Sequence, residues 1–186
     1  MQLAGHPAPP ARATRRGVIF PLLLALTAWL GWPVIGHALE LPIYTYRLLR
    51  MPAPERVAVP VKGVRPASLR DSWGGARSGG RRHEGIDIFA RVDTPVIAST
   101  EGIVTRVGTN SLGGKVVWVM GPGGQRHYYA HLNDYANIRA GQRIDVGTVL
   151  GFVGNTGNAR GTPHHLHYGI YSSKGAVNPY PLLVPK

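Results

Sequence analysis

The stretch "TPHHLHYG" (162–169) puts three histidines into four positions of a 186-residue chain. Within it, His165 and His167 are two apart. On a strand such residues project from one face, with Cα atoms roughly 6.6–7 Å apart. Both imidazoles then address one groove, where one can hold a metal and the other can reach water bound to it. A second pair, His83 and Asp87 in "RRHEGIDI" (81–88), is four apart. A straight strand would separate them by about 13 Å, too far for one ion with ligand bonds of ~2.0–2.2 Å. Gly85 and the β-branched Ile86 and Ile88 argue against a helix. The pair therefore requires a bend just after His83, which Gly85 and Gly79–Gly80 permit. In "HYYAHL" (127–132), alternation places His127, Tyr129 and His131 on one face, with Tyr128 and Ala130 on the other. His127, beside a hairpin, reads either as a general base or as a half-exposed polar residue.

Cysteine is absent, so any metal must be held by histidine and carboxylate. His83, Asp87 and one histidine of "HLH" make a three-ligand set with the fourth tetrahedral position left for water, which is the catalytic arrangement. Zn²⁺ there lowers the pKa of its water towards ~7 and polarises a carbonyl oxygen. The two remaining histidines can take the water's proton and steady a tetrahedral oxyanion.

Strands must position these groups. After Asp71 the chain alternates a Gly-, Ser- and Arg-rich loop, "DSWGGARSGGR" (71–81), with short β-like runs: 86–90, 95–99, 103–108, 115–121, 125–132, 149–154 and 166–171. "GPGG" (121–124) reads as a hairpin turn. No 3.6-residue period stands out after residue 40, so the expectation is a mainly β single domain built on an antiparallel sheet or roll. Residues 39–56 read as a Pro-rich connector, extended and leading to a first strand near Val57–Val61, with the β domain over 57–186.

Ahead of these lies 1–38. Arg12, Arg15 and Arg16 precede the uncharged run "GVIFPLLLALTAWLGWPVI" (17–35), followed by small residues at Gly36 and Ala38. That is the layout of a signal peptide, and the run is also long enough to serve as an uncleaved membrane anchor. Both readings export the rest of the chain to the periplasm or cell envelope. The formal charge is +12; these three arginines are the charged residues before Ala38, so +9 remains beyond it. Outside the cytoplasm a basic surface suits anionic envelope polymers or lipid headgroups, and nucleic acid is not expected as a partner.

Together "HEGIDI" (83–88), "TPVIASTEGIV" (94–104), "YAHL" (129–132), "AGQRIDVGTVLGFVGNTG" (140–157) and "HLHYGI" (165–170) resemble, in the same order, the lysostaphin/LytM-type zinc endopeptidases that cut bacterial peptidoglycan. The resemblance spans about residues 57–184. It implies one zinc ion held by His83, Asp87 and His167, with His131 and His165 as the non-ligand pair that activates water and stabilises the transition state. It also implies a narrow groove over the metal, walled by 71–81 and by "NARGTPH" (158–164). Two positions depart from the family pattern. His164 puts an extra imidazole at the groove mouth, read as accessory, and Gly169 stands where an acidic residue is common. No wall-binding module is recognisable, so targeting falls to the N-terminal segment or to partners such as other cell-wall enzymes. Some relatives lack ligands and serve as activators of other wall hydrolases; all five active positions are present here, which favours the enzyme. A lipoyl-like carrier, suggested by "TPVIASTEGIVTRVG", is disfavoured because no lysine has the expected flanks. A D-alanyl cross-link is favoured over glycine bridges as the scissile site.

Overall fold

The computed structural model describes residues 39–184, so the signal or anchor expected over 1–38 lies outside the described residues. Among those described, no helix is long and apolar enough to cross a membrane.

Short runs rich in Val, Ile and Tyr, bounded by Gly, Pro or Asn, fold as strands because branched and aromatic side chains pack well on a pleated surface. Among the described residues these are β1 (Ile86–Phe89), β2 (Pro95–Ile97), β3 (Gly102–Asn110), β4 (Gly114–Met120), β5 (Arg126–Tyr135), β6 (Arg143–Ile144), β7 (Val149–Val153), β8 (His165–Ser172) and β9 (Gly175–Val177). Every pairing is antiparallel. The order β1-β8-β5-β4-β3-β6 forms an open sheet, with β7 joining β2 to β5 and β9 added to β8. The expected mainly β, antiparallel fold is what forms. The "GPGG" turn joins β4 to β5, with Gly123 and Gly124 at φ 68° and 67°, conformations that side chains strain to reach.

Alternate residues of the strands fill the core: Ile86 and Ile88, Val117 and Val119, Leu166, Tyr168 and Ile170 are all buried. Each aliphatic side chain removed from water contributes roughly 1.5–3 kcal/mol. The alternation leaves Asp87, His165 and His167 on the opposite face, where the groove lies.

Two expectations need correction. The connector expected to be extended is a helix, α1, over residues 39–50. Tyr44 and Leu48, one turn apart, bury against Ile103, with Met51 and Met120 alongside. The Tyr44 hydroxyl donates to Glu101 at 2.9 Å, and the Arg143 guanidinium lies 4.2 Å from the ring centre. This buried stripe outweighs the proline signal, and Pro52 and Pro54 fall just beyond the helix, where proline is expected. Val57–Val61 is not a strand either. It runs extended beside β2, with a single bridge from Val61 to Val96, and Pro60 has no N–H to offer a ladder. The short β6, β9 and the helix α2 (Tyr180–Leu183) were too brief to show a period.

His127 is neither a general base nor half-exposed, because it is fully buried. Its Nδ1 hydrogen-bonds the Tyr168 hydroxyl at 2.7 Å, which meets Ser99 Oγ at 2.6 Å, and Ser99 Oγ meets the Tyr129 hydroxyl at 2.8 Å. Burial pushes its pKa down to about 4. The unfolded chain therefore binds this proton first, near the ordinary value of ~6.5. The stabilisation is present above pH 6.5 and is lost as pH falls towards 4, on the order of 3 kcal/mol. Melting curves from pH 7.5 to 4.5 should show a smaller acid loss for His127→Gln than for the natural chain; parallel losses would contradict this role.

Candidate active site

Strand pairing brings the distant motifs together. In the β1–β8 register Asp87 lies opposite His167, and in the β5–β8 register Ala130 lies opposite His167. His83 reaches the same point from the loop before β1, after a bend at Gly85. That glycine has a second reason to be there. A Cβ at Gly85 would sit 2.8 Å from His167 Cε1 and 2.5 Å from the Tyr168 carbonyl oxygen, so a side chain would displace the imidazole.

One ligand atom from each of His83, Asp87 and His167 lies within 4.8 Å of the others. His83 Nε2 is 3.1 Å and His167 Nδ1 3.2 Å from Asp87 Oδ1, and the two nitrogens are 2.8 Å apart. A tetrahedral ion with bonds of ~2.0–2.1 Å spaces its ligand atoms about 3.3 Å apart. The donor types fit as well. His83 Nδ1 lies 2.7 Å from the Ser72 carbonyl, which can only accept, so the proton sits on Nδ1 and Nε2 turns a lone pair inward. Lone pairs of two imidazoles and a carboxylate thus converge, and a cation at the centre satisfies all three. Burial alone would raise the Asp87 carboxyl, but the His167 and His83 imidazoles and the Arg77 guanidinium gathered around it hold it well below the usual carboxylate range. Burial lowers the pKa of His167, against the pull of Asp87, so its ring is neutral, as a ligand must be.

His165 and His131 flank this cluster. His165 Nε2 is 3.9 Å from Asp87 Oδ1, and the His131 and His165 ring centres are 5.1 Å apart. Both are pinned alike: His165 Nδ1 donates to the Pro163 carbonyl at 2.7 Å and His131 Nδ1 to the Thr156 carbonyl at 2.8 Å. In each ring Nε2 is left as the free acceptor. Burial pushes His131 down to about 4, so near neutral pH it is an uncharged base.

Simple alternation misplaces His131. It shares no face with His127 and Tyr129, which are in the core, but lines the groove beside Ala130. The cause is backbone. His131 has φ 65°, and from Val117↔Tyr129 to Lys115↔Leu132 the strand β5 spends one residue more than β4. This bulge turns the imidazole to the metal side. A left-handed non-glycine residue costs about 1–2 kcal/mol and such strain collects at functional sites.

The loops at 71–81 and 158–164 wall a groove of about 950 Å³, with Arg77 and Arg81 on one side and Asn158 and Pro163 on the other. His164 is exposed, between Pro163 and His165, which line the groove. At Gly169 a Cβ would come 3.0 Å from the Glu84 carbonyl, so the small residue suits a close approach of two backbones. Sequence reading missed Ser72, whose carbonyl holds His83 and whose hydroxyl accepts the Asp87 N–H at 3.1 Å. It also missed Arg77, whose guanidinium binds Asp87 Oδ2, and the carbonyls of Thr156 and Pro163. Backbone carbonyls carry no residue-type signal; Arg77 was visible only as part of a basic loop.

The sheet with its cluster of two imidazoles, a carboxylate and two flanking histidine bases defines a metallopeptidase-type β domain. The chain belongs to peptidase family M23, whose profile matches residues 81–179. It is 42% identical over 128 residues to the L-Ala–D-Glu endopeptidase of Bacillus subtilis (strain 168), covering 62% of this chain and 39% of that protein. It is 34% identical over 110 residues to the glycyl-glycine endopeptidase ALE-1 of Staphylococcus capitis, covering 56% and 30%. The chain thus spans well under half the length of these relatives. The catalytic domain of lysostaphin from Staphylococcus simulans superposes with a TM-score of 0.56 at 28% identity, covering 62% of this chain and 92% of that domain. Helicobacter pylori Csd3 gives 0.56 at 27% identity, covering 69% and 33%.

Proposed function

We propose that this chain is a zinc-dependent endopeptidase that hydrolyses peptide bonds of bacterial peptidoglycan outside the cytoplasmic membrane. The observation that carries it is the convergence of His83 Nε2, Asp87 Oδ1 and His167 Nδ1 beside two histidines whose free Nε2 atoms face the same groove. Two imidazoles and one carboxylate with an open fourth position are the donor set of hydrolytic zinc sites. When bound, the ion supplies Lewis acidity, lowering the pKa of water and polarising a carbonyl.

The chain's own groups do the rest. One of the paired bases, His131 or His165, accepts a proton at Nε2 from the attacking water. The same ring then gives that proton to the leaving amine, while the other, carrying a proton taken from solvent at Nε2 and keeping it through the cycle, donates a hydrogen bond to the developing oxyanion. The Thr156 and Pro163 carbonyls hold both rings so that no reorientation is needed at reaction. Ser72 and Arg77 keep His83 and Asp87 aimed inward, the outer support that metal ligands need. Relatives named for L-Ala–D-Glu and glycyl-glycine bonds support wall peptides as the substrate class. The uncharged run at 17–35 supports export, with or without retention as an anchor.

Purified full chain incubated with peptidoglycan sacculi should release soluble peptides. A chelator should stop release and added zinc should restore it. Release that persists after metal removal would contradict the proposal, and a chain that only activates other hydrolases releases nothing by itself.

A further inference from the structure

We propose, resting on the hydrolase reading above, that the groove selects peptides carrying a free carboxylate on the residue that adjoins the scissile amide, recognised by Arg81 and Arg82 together with Arg77. These three arginines rise from one small closed turn. Ala76 and Arg82 form a bridge, the Arg77 N–H donates to the Arg81 carbonyl at 2.9 Å, and Gly79 and Gly80 both take φ 71° to close it. Each guanidinium is held from behind. Arg81 Nε donates to the Ser78 carbonyl at 3.2 Å and its Nη2 to Ser78 Oγ at 3.3 Å. Arg82 Nη1 donates to the Gly74 carbonyl at 3.2 Å, and Arg77 Nη2 binds Asp87 Oδ2. A guanidinium has five N–H donors in a planar fork, so donors remain on every one, and all three residues line the groove.

The charge is one-sided. Asp87 and Glu84 are the acidic residues among the groove lining, and Asp87 is already engaged by His83, His167 and Arg77. The opposite wall is aromatic, with Trp118 and Tyr128 ring centres 4.3 Å apart. A divalent ion at the cluster makes the lip side more positive still. An anion placed there meets preorganised forks, and bidentate pairing of arginine with carboxylate is among the strongest protein hydrogen bonds. Glutamate linked through its γ-carboxyl keeps its α-carboxylate on the carbon bearing the scissile nitrogen. A diaminodicarboxylic acid, which bears a carboxyl on each amine-bearing carbon, likewise keeps a carboxylate beside the scissile nitrogen when one amine is acylated and that carboxyl is free. A glycine bridge offers no such group, so the groove favours the first two and discriminates against the third.

The test uses three synthetic peptides: a stem peptide with the free α-carboxyl next to the scissile amide, its primary-amide isostere, and pentaglycine. Calorimetry with zinc-loaded full chain carrying His131→Asn reads binding without turnover. The acid should bind about 10- to 100-fold more tightly than the amide, the range expected for a hydrogen bond to a charged group. That ratio should fall towards one in Arg81→Gln/Arg82→Gln, partly return in Arg81→Lys/Arg82→Lys, and zinc content should stay the same in all. Equal affinity for acid and amide overturns the proposal even where both are cleaved. A binding preference without cleavage by the natural chain overturns the hydrolase reading and leaves the selectivity standing.

Discussion

Replacing His83 with alanine should abolish metal binding and hydrolysis together. His83 is only 3% exposed and is fixed from two sides, by the Ser72 carbonyl on Nδ1 and by Asp87 and His167 around Nε2. Alanine removes one of three donors, and the neighbouring His165, whose Nε2 is 3.9 Å from Asp87 Oδ1, is held outside the cluster by its Nδ1 bond to the Pro163 carbonyl. With two donors the site keeps an imidazole and a carboxylate, too few for a stable catalytic zinc site. Metal analysis should fall from one ion per chain to a small fraction of that. Cleavage of sacculi should fall by at least about a thousandfold, since both the Lewis acid and the ordered site are lost. Protons compete for the same donors, so metal should also leave the natural chain on acidification, below the ordinary histidine range of ~6.5 because burial lowers His167. A fully metal-loaded His83→Ala protein, folded by circular dichroism, would remove His83 from the ligand set.

The second large effect separates binding from catalysis. His131→Asn should keep its metal and lose turnover by about 10²–10⁴-fold, the usual contribution of a positioned general base. Asparagine is the informative substitution because position 131 needs φ 65°, and asparagine tolerates the left-handed region better than alanine. Strain is then not confused with chemistry. The 2.8 Å bond from His131 N to the Gly113 carbonyl is backbone and survives the change. Metal content should match that of the natural chain while the rate collapses. Loss of metal in step with rate would place His131 among the ligands and overturn the division of roles proposed above.

Much of this was legible in the chain. Period-2 alternation showed seven of the strands, and the "HLH" spacing correctly put His165 and His167 on one face. The bend between His83 and Asp87 followed from distance alone. Other features were not legible. The helix at 39–50 hides behind four prolines between 42 and 60, although Tyr44, Leu48 and Met51 carry the helical spacing that buries it. His127 looked as chemical as its neighbours, and its burial depends on Tyr168 and Ser99, which are distant in sequence.

The sequence by itself determined which side chains were available: histidines and a carboxylate with no thiol, on strands short enough to turn back repeatedly. Composition and alternation are local properties, and they limit both the chemistry and the class of fold. Only the tertiary structure decided which histidines work. A bulge in β5 rotates His131 from the core face to the groove, and carbonyls from Ser72, Thr156 and Pro163 choose the proton-bearing nitrogen of three rings. Those outcomes depend on strand register and on backbone groups that every residue shares, so residue type alone does not encode them.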